Sequence, residues 1–404
     1  MRATSLIGIA LAAIGVGAVQ LGPTTEAPTG FDETNGHISQ SAFLNVKAIF
    51  EEDETIEGGL GPTFNGDNCS GCHRNPTGNG SSTLEQRAGN FNGSVFTDHP
   101  GGSLVQRQAI DPALLETFVA SDNVRALRAT TGVLGDGFVE AMPDQAFTAI
   151  RSTQPLGFVG TIISVPVVEA GGTLRIGRFG WKNQHASLLS FSGDAYLNEM
   201  GITNLVNGRQ TFARENTSNG RVIPRCAPGV FTGPCDPVAD PEDEDNDVQA
   251  FADFMRATKA IPRGPINAEV TLGSDLFDQI GCAFCHTRNI ATAAPGTVIN
   301  GGTFTVSSAL GNKVFHPFGD FMLHDVGTGD GIVQNGGPAT RNMLRTPPLW
   351  GLRLRGVLMH DNMSPDLSAA ILRHGGVGGT HSANRFRQLD PVQKAAMLAF
   401  LRSL

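Results

Sequence analysis

Apolar residues recur at helical spacing at Phe43, Leu44, Val46, Ile49 and Phe50, which predicts a helix over Ser41–Glu51. Ala109–Leu127 and Met142–Ile150 read as further helices, and β-branched Thr161–Val168 as a short strand. Val248–Ala257 is amphipathic. Ser274 suits the N-cap of a short helix, Asp275–Ile280. Leu367–Arg373 is a short helix that His374 and Gly375 terminate. Asp390-Pro391 opens a last helix running to about Leu401, with Ala395, Leu398 and Leu401 on its apolar face. Residues 74–103 and 291–340 show no clear period and read as loops.

Two of these irregular stretches border the same five-residue pattern, Cys69-Ser-Gly-Cys72-His73 and Cys282-Ala-Phe-Cys285-His286. C-x-x-C-H reads as a c-type haem attachment site. Thiols three positions apart reach the two vinyl groups of one porphyrin, and the adjacent histidine supplies the proximal nitrogen. One copy could equally be a redox or zinc-type pair. Two complete copies favour two covalently bound haem c groups, with His73 and His286 on the iron.

Composition agrees with a loop-rich protein completed by large apolar cofactors. Charged residues make up 17% of the 404, and Gly occurs 51 times, against a charged fraction of about a quarter in ordinary domains. The net charge of −9, without a long Lys/Arg tract, excludes nucleic acid as a partner. Cys226 and Cys235 remain outside the haem motifs. In an oxidising compartment they would form a disulfide, and two free thiols are the alternative. Arg2, the apolar run Leu6–Ala18 and the small residues Val16-Gly17-Ala18 read as a signal peptide over residues 1–22. The run is short for a membrane span. The expectation is therefore a periplasmic protein without stable membrane insertion after cleavage, an uncleaved anchor being the alternative. The acidic run Asp236–Asp247 lacks the spacing of a calcium-binding EF-hand loop and reads as a solvated loop capping the next helix.

Several segments together resemble the di-haem oxidoreductase family, related to bacterial di-haem cytochrome c peroxidases and MauG. They are Gly30-Phe-Asp-Glu33, Gly61-Pro-Thr-Phe-Asn65, Arg178-Phe-Gly-Trp-Lys182, Asn198-Glu-Met-Gly-Ile-Thr203, His324-Asp-Val-Gly327, Arg345-Thr-Pro-Pro-Leu349 and Met359-His-Asp361. The resemblance implies a mainly α fold of two cytochrome c-like domains, each around one covalent haem, with long loops and few short strands. The boundaries would be 30–265, with an irregular insertion at about 224–247, and 266–404. Peroxide or dioxygen would react at the N-terminal haem, and the C-terminal haem would transfer electrons. A small donor protein, a cytochrome c or a cupredoxin, would be the partner. The family also commonly holds Ca2+ between its domains, for which Thr346-Pro347-Pro348 is the candidate region.

The resemblance singles out further residues. His374 stands where relatives carry Met or Tyr, which would give the C-terminal haem two histidine ligands. Met359 is the other candidate for that position. No His follows the first motif over Arg74–Phe96, so the N-terminal haem would be open, with His99 or His185 as alternative ligands. Glu199 would be the distal acid–base group and Trp181 the indole between the haems. Tyr196 would line the N-terminal haem, Trp350 would pack near the C-terminal one, and His324 and His360 would touch propionates or backbone. The competing reading is a di-haem electron carrier without catalysis, and a third is a haem-dependent oxygenase.

Overall fold

The computed structural model describes residues 24–214 and 236–404. The expected signal peptide, 1–22, and the pair Cys226 and Cys235 lie outside the described residues. Among the described residues no helix is long and apolar enough to cross a membrane.

Several helices lie where the apolar pattern puts them. They are Gln40–Glu51, Asp144–Thr153, Asp247–Ala257, Leu367–Leu372 and Pro391–Arg402. The last opens with a full capping box between Asp390 and Gln393. Ser164–Val167 is a strand, paired antiparallel with Thr173–Ile176. Asp243 caps the helix Asp247–Ala257 by accepting from the Asp247 amide at 2.7 Å. Glu242, in the same acidic run, is buried rather than solvated and accepts from the Thr203 amide at 2.8 Å.

Other elements correct the sequence reading. The described residues hold nine helices and seventeen short strands, so the fold is mixed rather than mainly α. Residues 84–91, read as loop, form the centre of a four-stranded antiparallel sheet with Phe96–Asp98, Leu104–Val105 and Val124–Ala129. The expected helix Ala109–Leu127 is absent. Only one turn, Pro112–Leu114, forms there, and Val124–Ala129 pairs along six residues with Leu84–Gly89. Long-range pairing overrides local preference at this point. Ser274 is interior to a longer helix, Ala268–Gln279, whose true cap is Asn267, accepting from the Val270 amide at 2.9 Å. A helix over Gly376–Gln388 was invisible in a Gly-Val-Gly-Gly start. Its start is closely packed, and a Cβ at Gly378 would lie 2.7 Å from Phe158.

The larger core draws on residues from Ala27 to Trp350, and includes Ile290, Phe315 and Phe321 from the C-terminal half. A smaller core joins the helices Ala268–Gln279 and Pro391–Arg402 around Phe277, Phe318 and Phe400. Buried charge ties the larger core together. The Glu140 carboxylate accepts from Arg256 Nε at 2.7 Å, the Leu188 amide at 2.8 Å and Asn300 Nδ2 at 2.9 Å. Burial alone would raise its pKa, but Arg256 holds it down at about 2. The folded pKa is depressed, so this stabilisation is present above the ordinary carboxylate range and fades as pH falls toward about 2.

The segment Arg178–Lys182 is anchored at both ends. Arg178, fully buried, donates to Met142 O at 2.6 Å and to the Asp144 carboxylate. Lys182 Nζ donates to Met343 O at 2.7 Å and pairs with Asp330 at 2.9 Å. Trp181 is fixed between these two anchors.

Candidate functional site

Two large cavities open around the two C-x-x-C-H turns. Each turn is one helical loop, His73 N donating to Cys69 O at 2.9 Å and His286 N to Cys282 O at 3.0 Å. The cavity around Cys282, Cys285 and His286 has a volume of about 220 Å³. The cavity around Cys69, Cys72 and His73 has about 170 Å³.

In the C-terminal cavity two imidazoles face each other. His286 Nδ1–H donates to Phe318 O at 2.9 Å and His374 Nδ1–H to Ala370 O at 2.8 Å. Both Nε2 atoms are left free, as in metal-binding histidines whose other nitrogen is tied to a carbonyl. The ring centroids are 6.5 Å apart. Two imidazoles sharing one metal, with nitrogen bonds of about 2.0 Å, would sit roughly 6 Å apart by centroid. Burial, and then His374, push the His286 pKa down to about 4, and burial lowers that of His374. Both rings are thus neutral, the form that ligates. Met359 also lines this cavity, with a left-handed φ of 71°.

The same cavity is lined by Arg345 and Arg355. Arg345 Nε donates to Gly180 O at 2.8 Å, and burial brings its pKa down to about 10. Burial also lowers that of Arg355. Neither forms an ion pair among the described residues. A desolvated guanidinium needs an anion, and haem propionates would supply it. The cavity therefore fits a haem by its imidazole pair and by its unpaired cations.

His324 lines the same cavity. Its Nε2 bonds Asp320 at 2.8 Å and its Nδ1 lies 3.6 Å from Cys285 Sγ. Against the effect of burial, Asp320 raises its pKa to about 10. His360 lines the cavity and meets the Trp181 ring edge-on at 6.0 Å. Trp350 packs at the cavity wall against Phe315, with centroids 6.0 Å apart. Thr346, Pro347 and Pro348 also line this cavity.

The N-terminal cavity has a different chemistry. His73 is its one lining histidine among the described residues. The proposed alternatives are held elsewhere. His99 is buried against Asp122 at 2.8 Å, and His185 Nε2 pairs with Asp194 at 3.1 Å. Neither of them lines the cavity. Tyr196 does line it, but its hydroxyl donates to Glu54 at 2.7 Å.

Glu199 reaches the cavity from a π turn, Tyr196–Met200, that continues the helix Leu188–Ala195. Such turns recur at functional sites because the extra residue re-aims a side chain. The turn is clamped by the Gly61–Asn65 loop: Asn65 N donates to Glu199 O at 2.7 Å and Gly61 N to Met200 O at 3.0 Å. Gly201, at φ 80°, is required, since a Cβ there would stand 2.3 Å from Gly61 O. Asn65 Nδ2 donates to Glu199 Oε2 at 2.8 Å. Burial, and then Glu85, push the Glu199 pKa up to about 8.

Glu85, Arg87 and Arg128 also line this cavity, and sequence reading missed all three. They stand on the strands Leu84–Phe91 and Val124–Ala129, which were read as loop and helix. The alternation Glu85-x-Arg87 was the available signal. Trp181 lines both cavities and donates from Nε1 to Ala129 O at 2.8 Å.

The sequence pattern of the family described as "Di-haem oxidoreductase, putative peroxidase" matches residues 105–404. No curated protein matches the chain. Among solved structures, the chain is similar to hydrazine synthase of Kuenenia stuttgartiensis at 13% identity, over 100% of this chain and 99% of that one, with a TM-score of 0.40. It is also similar to a MauG-like protein associated with microbial copper homeostasis at 14% identity, over 97% and 95% of the two chains, with a TM-score of 0.40.

Proposed function

The chain belongs to the di-haem oxidoreductase family, and from that premise we propose a periplasmic enzyme that reduces hydrogen peroxide, or uses it to oxidise a partner. Cys69 and Cys72 attach one haem c and Cys282 and Cys285 the other, in units of residues 30–265 and 266–404. When bound, the haems supply electron transfer and the redox power to cleave peroxide. His73 holds the N-terminal iron and leaves room for a small oxidant. His286 and His374 hold the C-terminal iron from two sides, with Met359 as the other candidate for the second position. Glu199 moves the proton that O–O cleavage requires. A cytochrome c or cupredoxin delivers electrons to the C-terminal site. Export follows from residues 1–22, and Cys226 and Cys235 pair in the oxidising compartment.

One observation carries this reading. Among the described residues, the N-terminal cavity offers a single histidine beside a buried carboxyl, whereas the C-terminal cavity holds a facing pair of histidines, His286 and His374. A pure electron carrier would have two fully ligated haems. Optical and EPR spectra of the oxidised protein, followed by stopped-flow mixing with peroxide, test the difference. One high-spin and one low-spin signal, with a reaction at the high-spin site, is the expected result. Two low-spin signals and no reaction would make the protein a carrier, and reaction with dioxygen alone would make it an oxygenase.

Trp181 lines both cavities, and its indole lies where electrons would pass between them. Trp181→Phe is expected to slow single-turnover transfer between the two centres while leaving both spectra unchanged. An unaltered rate would reduce Trp181 to a packing residue.

A further inference from the structure

The strand Leu84–Phe91 carries a second carboxyl into the N-terminal cavity. Glu85 and Arg87 are two positions apart and so share one face of the sheet. Arg128 stands directly opposite Glu85 on the neighbouring strand. Arg87 grips Glu85 twice, Nε to Oε1 at 2.8 Å and Nη2 to Oε2 at 3.2 Å. The Glu85 and Glu199 carboxyls line the same cavity, and each acts on the charge of the other. On its other side Glu199 accepts from Asn65 at 2.8 Å. Two buried carboxyls that share one site do not both ionise at neutral pH, one of them being strongly raised.

We propose that Glu85 and Glu199 act as one proton-sharing pair in which Arg87 fixes the negative charge on Glu85 and leaves the proton on Glu199. Glu85 is then a positioning residue: it keeps Glu199 in the acid form at neutral pH. The proposal rests on the reading of Glu199 as the proton-moving group. The shifts run the same way. Burial, and then Glu85, raise the Glu199 pKa, while Arg87 overcomes burial and lowers that of Glu85. The other charged and titratable groups facing the pair are Arg128, Arg107, Asp194, Cys72 and His73. Tyr196, on the same turn, is committed to Glu54.

The chemistry balances as a proton relay. Reduction of one peroxide to two waters takes up two protons and two electrons. The electron donor supplies both electrons. As the O–O bond breaks, the departing oxygen takes the bonding pair and receives the Glu199 proton. The pair is reprotonated from solvent, which also supplies the second proton.

The test compares Glu85→Gln, Glu85→Asp and Arg87→Gln in the haem-loaded protein. In the parent, peroxide turnover should fall as pH rises through about 8, where Glu199 ionises. In Glu85→Gln the charge that adds to burial in raising the Glu199 pKa is gone, and Arg87 is left to lower it. The alkaline limb should move below pH 7, with a loss of about 10- to 100-fold at neutral pH. Glu85→Asp should restore most of the parent profile. Arg87→Gln should shift the limb the other way, to higher pH, a result no general disruption of the fold would give. Infrared difference spectra across the same pH range read the carboxylic-acid band without turnover. The part of that band lost in Glu199→Gln should be lost in Glu85→Gln as well, over the constant signal of other raised carboxyls such as Glu242 and Asp136. If the band behaves so in a parent that does not consume peroxide, the peroxidase reading fails and the pair stands. If Glu85→Gln keeps both the parent limb and the parent band, the pair is overturned.

Discussion

Glu199→Gln is expected to slow peroxide consumption by about 100- to 10,000-fold, the usual worth of a positioned acid–base group. Gln keeps the shape of the side chain and can still bond Asn65, which now approaches Glu199 at 2.8 Å. It cannot carry a proton. The absorption spectrum should therefore be nearly unchanged while stopped-flow mixing shows a much slower reaction. The pH dependence gives a second check. Glu199 is protonated below about 8, so the parent should lose activity as pH rises through that value. The slow variant should show no such limb. Glu57→Gln, at an exposed turn, is the control and should leave the rate alone. Glu242 would be a poor control because it is buried and bonded to Thr203. If Glu199→Gln reacts as fast as the parent, Glu199 is a structural carboxyl that only ties the turn to the Gly61–Asn65 loop.

His374→Ala should abolish the low-spin signal of the C-terminal site and leave a high-spin one, with both haems still attached through their cysteines. The expectation follows from the 6.5 Å separation of the His286 and His374 rings and from the carbonyl tie on each Nδ1. Removing one imidazole leaves an iron with a single strong protein ligand. His374→Met should instead keep a low-spin signal and raise the reduction potential, because His/Met ligation favours the reduced state relative to bis-His. EPR and a potentiometric titration read both outcomes. A low-spin signal that survives His374→Ala would remove His374 from the iron, and Met359, on the same cavity wall, would be the next residue to change.

The sequence by itself determined the parts of this protein that rest on local spacing. Cys69, Cys72 and His73, and likewise Cys282, Cys285 and His286, fall on single turns because three and four residues are one helical period. The helices Gln40–Glu51, Asp247–Ala257 and Pro391–Arg402 were legible from apolar period and caps for the same reason. Glu199 and Trp181 were reachable only through resemblance, since nothing local marks either as lining a cavity. Tertiary structure decided the rest. It turned Leu84–Phe91 into a strand by pairing it with residues up to 45 positions away, as in Leu84 with Ala129. That pairing brings Glu85, Arg87 and Arg128 to one wall, which no window along the chain could reveal. It also withdrew His99 and His185 from the N-terminal cavity by pairing them with Asp122 and Asp194. A histidine's role depends on what faces its two nitrogens, and only the folded chain sets those partners.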